Sequence, residues 1–390
     1  MFSWLVTFWA FSMSATQFRL AGVGLSELTF IILMIALIVD SKNLLNLNKS
    51  LLTFSIFFAS VLLAGLLTNS IIEKSILGDY RDVFALMYSI FGSFVIISSG
   101  RFNIDHVIYG SYLSIQFLFA GFVLSLLATG LPIPIDFWYG GGEDLTSLAD
   151  VGRFKGWSEN PNQLGLFLIA AFYYNFYISN LRFNFKLFYS IPLAIILILV
   201  NSSATIMSVF VLMLVPYMLD LNLKWRSSVV LWLFKISFYF GVLILFMFGA
   251  FQFFNKTGDF DGNGRLPLWW NSILAVYESP VWGWGPGGHA GYSAPFEGWE
   301  SHNIYLDIAT QSGFLGLFSF LLLIGLLLVN LWRLGMHKQV GLVVSFLVYG
   351  FSHYMLRIPL FWIVLFALFV SSNSAALVRP RNVVHSKFID

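Results

Sequence analysis

Apolar runs of bilayer-crossing length, roughly 20 residues, follow one another along almost the whole chain. They begin near Phe2, Gly22, Leu51, Val83, Val107, Pro161, Leu187, Ala204, Val229, Tyr305, Val340 and Pro359, which predicts about twelve membrane helices. At Asn201-Ser202-Ser203 one long apolar stretch must be divided by a short turn, and the last pair is divided near Arg357-Ile358-Pro359. Residues 1–18 lack a basic leader and a small-residue cleavage site, so they read as a retained first helix.

Two long polar stretches interrupt the pattern: 132–160, with Gly140-Gly141-Gly142 and Arg153, and 255–304, with Arg265 and His302. Within the second, Leu266 to Glu278 is again largely apolar. Pro267 suits a helix start, and the residue before Pro280 is biased away from helix. This predicts a short helix in the membrane interface, with Trp269 and Trp270 at headgroup level. The expected fold is an all-α integral membrane protein, residues 1–390 forming a single polytopic domain.

Composition agrees. The chain is 58% hydrophobic and 10% charged, with mean hydropathy +0.81, against about 25% charged residues in a soluble domain. A net charge of +2 gives no basis for nucleic-acid binding, and the absence of cysteine excludes disulfides and thiolate metal sites. Charge also sets an orientation. With the N-terminus inside, the inner loops hold 12 basic residues (Lys42, Lys49, Arg101, Arg182, Lys186, Lys224, Arg226, Arg333, Lys338, Arg379, Arg381, Lys387) and 4 acidic ones. The outer loops hold 8 basic and 14 acidic residues. The positive-inside rule then puts both termini in the cytoplasm and both long loops outside.

Ionisable groups in a membrane protein mark function or pairing, so the outer loops are searched first. His302-Asn303 stands at the mouth of the span that begins at Tyr305. On a continuous helix at about 100° per residue, Ala309, Gly313 and Gly316 fall near the azimuth of His302. Such a stripe admits a close neighbour; it brackets either a working imidazole or a surface histidine above a packing face. Arg265 is suited to phosphate oxygens. Taken alone, it is better read as an arginine snorkelling to lipid headgroups. Arg153 and Lys155 precede Glu159-Asn160-Pro161-Asn162, where Asn160 suits an N-cap and Pro161 the first helical position. Two cations beside a helix N-terminus make an anion site, or else a loop paired with Glu159. His353 and Arg357, four apart, would share a helix face. Asp259-Phe260-Asp261 is read as a chance acidic pair, and Trp282-Gly283-Trp284-Gly285 as a flexible aromatic loop without P-loop chemistry.

These residues resemble a known family. His302-Asn303, nine residues, then Gly313-x-x-Gly316 is similar to the His-Asn/Ser/Gln, x9, Gly-x-x-Gly/Thr/Tyr pattern of bacterial O-antigen ligases. Gly264-Arg265, Trp269, Ser279-Pro280 and Gly283-x-Gly285 resemble the O-antigen ligase/polymerase superfamily, as does Arg153 to Asn162 for its earlier arginine loop. The resemblance implies a GT-C-like, metal-independent, inverting glycosyltransferase of the bacterial inner membrane. It would need no cofactor and would act at the periplasmic face on a glycan carried by undecaprenyl pyrophosphate. Arg153 and Arg265, with Lys155, would hold the pyrophosphate, and His302 would activate the acceptor hydroxyl. Asn303, Glu159, Asn162, His353 and Arg357 would support them. Expected partners are the lipid-linked glycan, a glycan or lipid A core acceptor, membrane lipids and a chain-length regulator. The chemistry is self-consistent: the leaving group is already activated, guanidinium groups stabilise departing phosphates, and a histidine supplies a base near neutral pH.

A polymerase of O-antigen, capsule or exopolysaccharide repeats is favoured by the neutral, aromatic loop containing Trp282, Trp284, Tyr292, Phe296 and Trp299. A ligase to lipid A core is the alternative. A lipid-linked glycan flippase would show more intramembrane charge than Glu27 and Lys235, and a non-catalytic export scaffold is a further reading.

Overall fold

The computed structural model describes residues 2–20, 23–39, 49–72, 80–99, 103–129, 135–140, 153–158, 160–224, 265–290 and 298–378. Helices dominate: α1 Phe2–Ser12, α2 Leu25–Val39, α3 Lys49–Ile72, α4 Tyr80–Met87, α5 Ser93–Ser98, α6 Ile104–Thr129, α7 Ile135–Trp138, α8 Pro161–Tyr173, α9 Phe183–Val200, α10 Ser203–Lys224, α11 Arg265–Glu278, α12 Ile304–Arg333, α13 His337–Gly350 and α14 Pro359–Val378. π-helical turns join α4 to α5 and extend α8. Two strand pairs of two residues each flank the bundle; in one, Tyr139–Gly140 runs antiparallel to Arg153–Phe154, with Gly140 opposite Arg153.

Helix stands where the sequence predicted each span but one; the span expected from Val229, with Lys235, lies outside the described residues. Among the described residues, four helices are long and apolar enough to cross a membrane, at Ile104–Ala128, Phe183–Val200, Ser203–Asp220 and Ile304–Arg333. Their surfaces are inverted relative to a soluble bundle. Leu127, Ile198 and Phe318 point outward, 77%, 71% and 68% exposed, while Ser12, Ser89, Ser111 and Ser208 are buried. Apolar groups outside and hydroxyls inside require an apolar solvent. The hydroxyls are satisfied locally, as when Ser111 and Ser208 donate to the carbonyls of Val107 and Ala204, four residues back. With its apolar helices, the molecule is a multi-pass membrane protein.

The second half of the bundle builds the functional end. α10 packs along α13, α8 against both, and α12 against α3. Gly341 of α13 lies on Pro216 of α10 with no room for a side chain. Three sequence-read boundaries have local causes that the structure bears out. Asn160 caps α8, its side chain accepting the Asn162 amide at 2.8 Å with Pro161 following. Asn201, at φ 47°, divides α9 from α10 in the left-handed conformation that asparagine tolerates. Asn303 caps α12 by accepting the amides of Tyr305 and Leu306.

Other expectations are corrected. α12 is not continuous: Gly313, at φ 61° and ψ −167°, breaks it. His302, at φ 55°, precedes the helix, so the stripe drawn beneath the histidine does not exist. What approaches Gly313 is a loop, not a helix. The Trp284 and Gly285 amides donate to the Thr310 and Gln311 carbonyls at 2.8 and 2.9 Å, and the Phe314 amide donates to the Pro280 carbonyl at 2.7 Å. These bonds satisfy groups that the break strips of helical partners. The Trp282–Gly288 loop is therefore pinned, not flexible; Trp284 is buried and its indole donates to the Ala275 carbonyl. His353 and Arg357 share no helix face, because residues 351–358 form a non-helical connection. α11 stands where the short helix was predicted, but of its two tryptophans Trp270 alone faces outward, at 62% exposure. Trp269 turns in and donates to the Ser301 carbonyl.

Candidate active site

Four connections meet at one end of the bundle: the strand and turn before α8, the α9–α10 turn, the segment before α12, and the α13–α14 connection. Arg153 anchors the first to the second. Its Nε donates to the Val200 carbonyl at 3.0 Å and one terminal nitrogen donates to Asn162 Oδ1 at 2.8 Å. A carbonyl in the last turn of α9 is a fitting partner, since helix C-termini carry partial negative charge. Tyr349, at the end of α13, donates its hydroxyl to the Asn162 carbonyl. The His353 ring packs at a tilt against Tyr349 with centroids 4.4 Å apart, and its Nε2 lies 3.3 Å from Ser202 Oγ.

Arg265, opening α11, and His302 complete the group. Burial and then the charge of Arg153 pull the Arg265 guanidinium down to about 10, leaving it cationic at neutral pH. Burial and then the charge of Arg265 pull the His302 imidazole down to about 4, so it is neutral and able to accept a proton. His353 is held well below its ordinary value by burial, then by Arg265, His302 and Arg153. Burial also lowers Arg153. Two guanidinium groups and two imidazoles, from four segments of the chain, thus lie within electrostatic reach. Such a concentration of cationic and imidazole groups is chemically suited to an anion.

The other sequence candidates divide. Asn162 belongs to the group through Arg153, and Asn303 supports it as the α12 cap. Arg357 is committed elsewhere: it pairs with Glu300 and lies over the Tyr354 ring at 4.8 Å. Lys155 is fixed by its backbone, its amide donating to the Trp138 carbonyl at 2.8 Å, and nothing ties its ammonium to the four. Glu159, Lys256, Asp259, Asp261, Tyr292 and Phe296 lie outside the described residues. Sequence reasoning passed over Tyr349 and Asp307. A lone carboxylate in the first turn of an apolar helix was the available signal for Asp307; Tyr349 gave none.

Beside the site, an apolar groove of about 520 Å³ runs between α11 and α12, lined by Ile273, Val276, Tyr277, Tyr305, Ala309 and Leu317 among others. It starts within one turn of His302 and opens beside the helix that carries Arg265.

Residues 188–321 match the profile of a family described as O-antigen ligase. That match supports the resemblance to the O-antigen ligase/polymerase superfamily over that segment. No curated protein matches the chain. The O-antigen ligase segment runs from α9 into α12 and contains Arg265 and His302. Arg153, Tyr349 and His353 come from outside it. The cluster is thus assembled jointly by the matched segment and the parts of the chain on either side.

Proposed function

We propose that this protein is a glycosyltransferase that polymerises oligosaccharide repeats carried on undecaprenyl pyrophosphate, working at the periplasmic face of the bacterial inner membrane. The observation that carries the reading is the electrostatic proximity of Arg265 to a neutral His302 and to Arg153, with His353 within reach of all three. The two guanidinium groups take the pyrophosphate and stabilise the charge that grows as it leaves. His302 accepts the proton of the acceptor hydroxyl. The hydroxyl oxygen forms the new bond to the anomeric carbon as the bond from that carbon to the phosphate oxygen breaks. Undecaprenyl pyrophosphate departs and the anomeric configuration inverts. The groove between α11 and α12 suits the lipid portion of the donor, since almost no polar surface lines it. Lys155, two residues after Arg153 in the chain, would add a further cation for the donor.

The family's description favours a second reading, in which the same machinery passes the glycan to lipid A core. One assay separates the two. Purified protein receives a lipid-linked repeat alone and then with lipid A core. Chain growth without core is expected for the polymerase, and product only with core identifies a ligase. No product in either arm removes both and leaves a transporter.

A further inference from the structure

His302 owes its direction to a small turn, and that turn is held from two sides by residues with no part yet in the chemistry. Asp307 lies in the first turn of α12 and is 2% exposed. Its Oδ1 accepts the Ser301 amide at 2.8 Å and its Oδ2 the Asn303 amide at 3.2 Å. The carboxylate therefore straddles His302, gripping the backbone on both sides of it. Ser301 closes the turn from within: its hydroxyl donates to the Asn303 carbonyl at 2.9 Å and lies 3.0 Å from the Asn303 amide. From the opposite side, Trp269 Nε1 donates to the Ser301 carbonyl at 3.1 Å. Trp269 is four residues after Arg265, one turn along α11.

The imprint of this clamp is the backbone of His302 at φ 55°. A non-glycine residue rarely enters that region unless its surroundings impose it. A carboxylate with two acceptor oxygens can hold two divergent amides at once. An amide side chain offers one acceptor and would turn its NH₂ toward the second N–H.

We infer that Asp307 and Trp269 are positioning residues: Asp307 fixes the backbone on either side of His302 so that its imidazole faces the Arg153–Arg265 chamber, and Trp269 ties that turn to the helix bearing Arg265. The inference rests on the proposed glycosyl transfer, with His302 as the base. In this arrangement the spacing between base and cation is set by one indole hydrogen bond, and the direction of the base by one carboxylate.

The test compares wild type, Asp307→Asn, Trp269→Phe and His302→Asn in lipid nanodiscs, with the lipid-linked repeat as substrate and rates normalised to folded protein. A second readout needs no turnover: the His302 resonance in histidine-labelled protein, assigned by its loss in His302→Asn. Misplacement by about 1 Å costs about 100-fold in rate. Asp307→Asn is expected to lose turnover on that order with donor KM within about twofold, and to shift the His302 resonance. Trp269→Phe is expected to lose roughly tenfold and to shift the same resonance less. Fewer folded molecules with unchanged turnover, KM and resonance would mean that Asp307 only stabilises the fold, and would overturn the inference. If Asp307→Asn does not fold, Trp269→Phe decides alone by the same two readouts. Should His302→Asn retain wild-type turnover, the assigned base is wrong and the inference falls with it. Full turnover in Asp307→Asn beside an inactive His302→Asn removes the inference and leaves the proposed function standing.

Discussion

In the proposed reaction, His302 is a base prepared before its substrate arrives. The unfolded chain protonates a histidine near pH 6.5, whereas burial and the charge of Arg265 hold the folded ring near 4. Folded stability is therefore present above about 6.5 and is lost as pH falls through the window toward 4. Bound pyrophosphate brings negative charge, which favours the protonated ring and raises its value. The acid limb of kcat/KM, which reports free enzyme, is thus expected near pH 4, and the limb of kcat, which reports the complex, at higher pH. Coincident limbs would show that the anion does not bind beside His302. Its backbone also dictates the best way to remove it. Alanine is strained at positive φ, while asparagine visits that region readily. His302→Asn should cost about 10²- to 10⁴-fold in turnover with the turn preserved. Undiminished turnover would exclude His302 as the base. The candidate histidine was legible in the sequence because it stands at a span boundary, and His353 was named from the sequence as a supporting residue; Tyr349 was not, because only tertiary packing brings it there.

At the scale of elements, the legible features were those with local causes. Asn160-Pro161 announces a helix start, and Asn201 a left-handed turn between two apolar runs, from chemistry carried within a few residues. The break at Gly313 was not legible. Its cause is the loop that fills it, and nothing within α12 reveals a partner 30 residues upstream. The same glycine read as a packing stripe is consistent with a helix; only the Trp284, Gly285 and Phe314 hydrogen bonds show that the helix opens there. Gly313→Ala should therefore destabilise the protein by roughly 2 kcal/mol or more. The new methyl group meets the Val281 carbonyl as well as an unfavourable φ. Thermal unfolding in detergent checks this, and an unchanged midpoint would mean that α12 tolerates closure of the break. Asp307 was hidden for a related reason. Its value lies in the two amides it straddles, and the sequence shows only a carboxylate near a membrane helix.

For the whole molecule, hydropathy identified the class because a bilayer leaves few choices: apolar faces outward, hydroxyls turned within, polar chemistry at the helix ends. The sidedness of those ends rests on charge alone and can be measured directly. The chain contains no cysteine, so one introduced thiol reports one location. Trp299→Cys, at an exposed position shortly before His302, should react with a membrane-impermeant maleimide added outside the inner membrane. Leu181→Cys, in the exposed connection between α8 and α9, should react only after permeabilisation. The reverse pattern would turn the protein over and move the chamber to the cytoplasm.

The bonds across the Gly313 break have a practical consequence for domain exchange. Residues 280–285 and 310–314 are stitched by three backbone hydrogen bonds, so they form one structural unit although they are separated in the chain. A chimera that swaps the intervening loop with that of a relative should be spliced between Gly285 and Ser301. A crossover inside either stitched strip would import half a seam and leave the other half without its match.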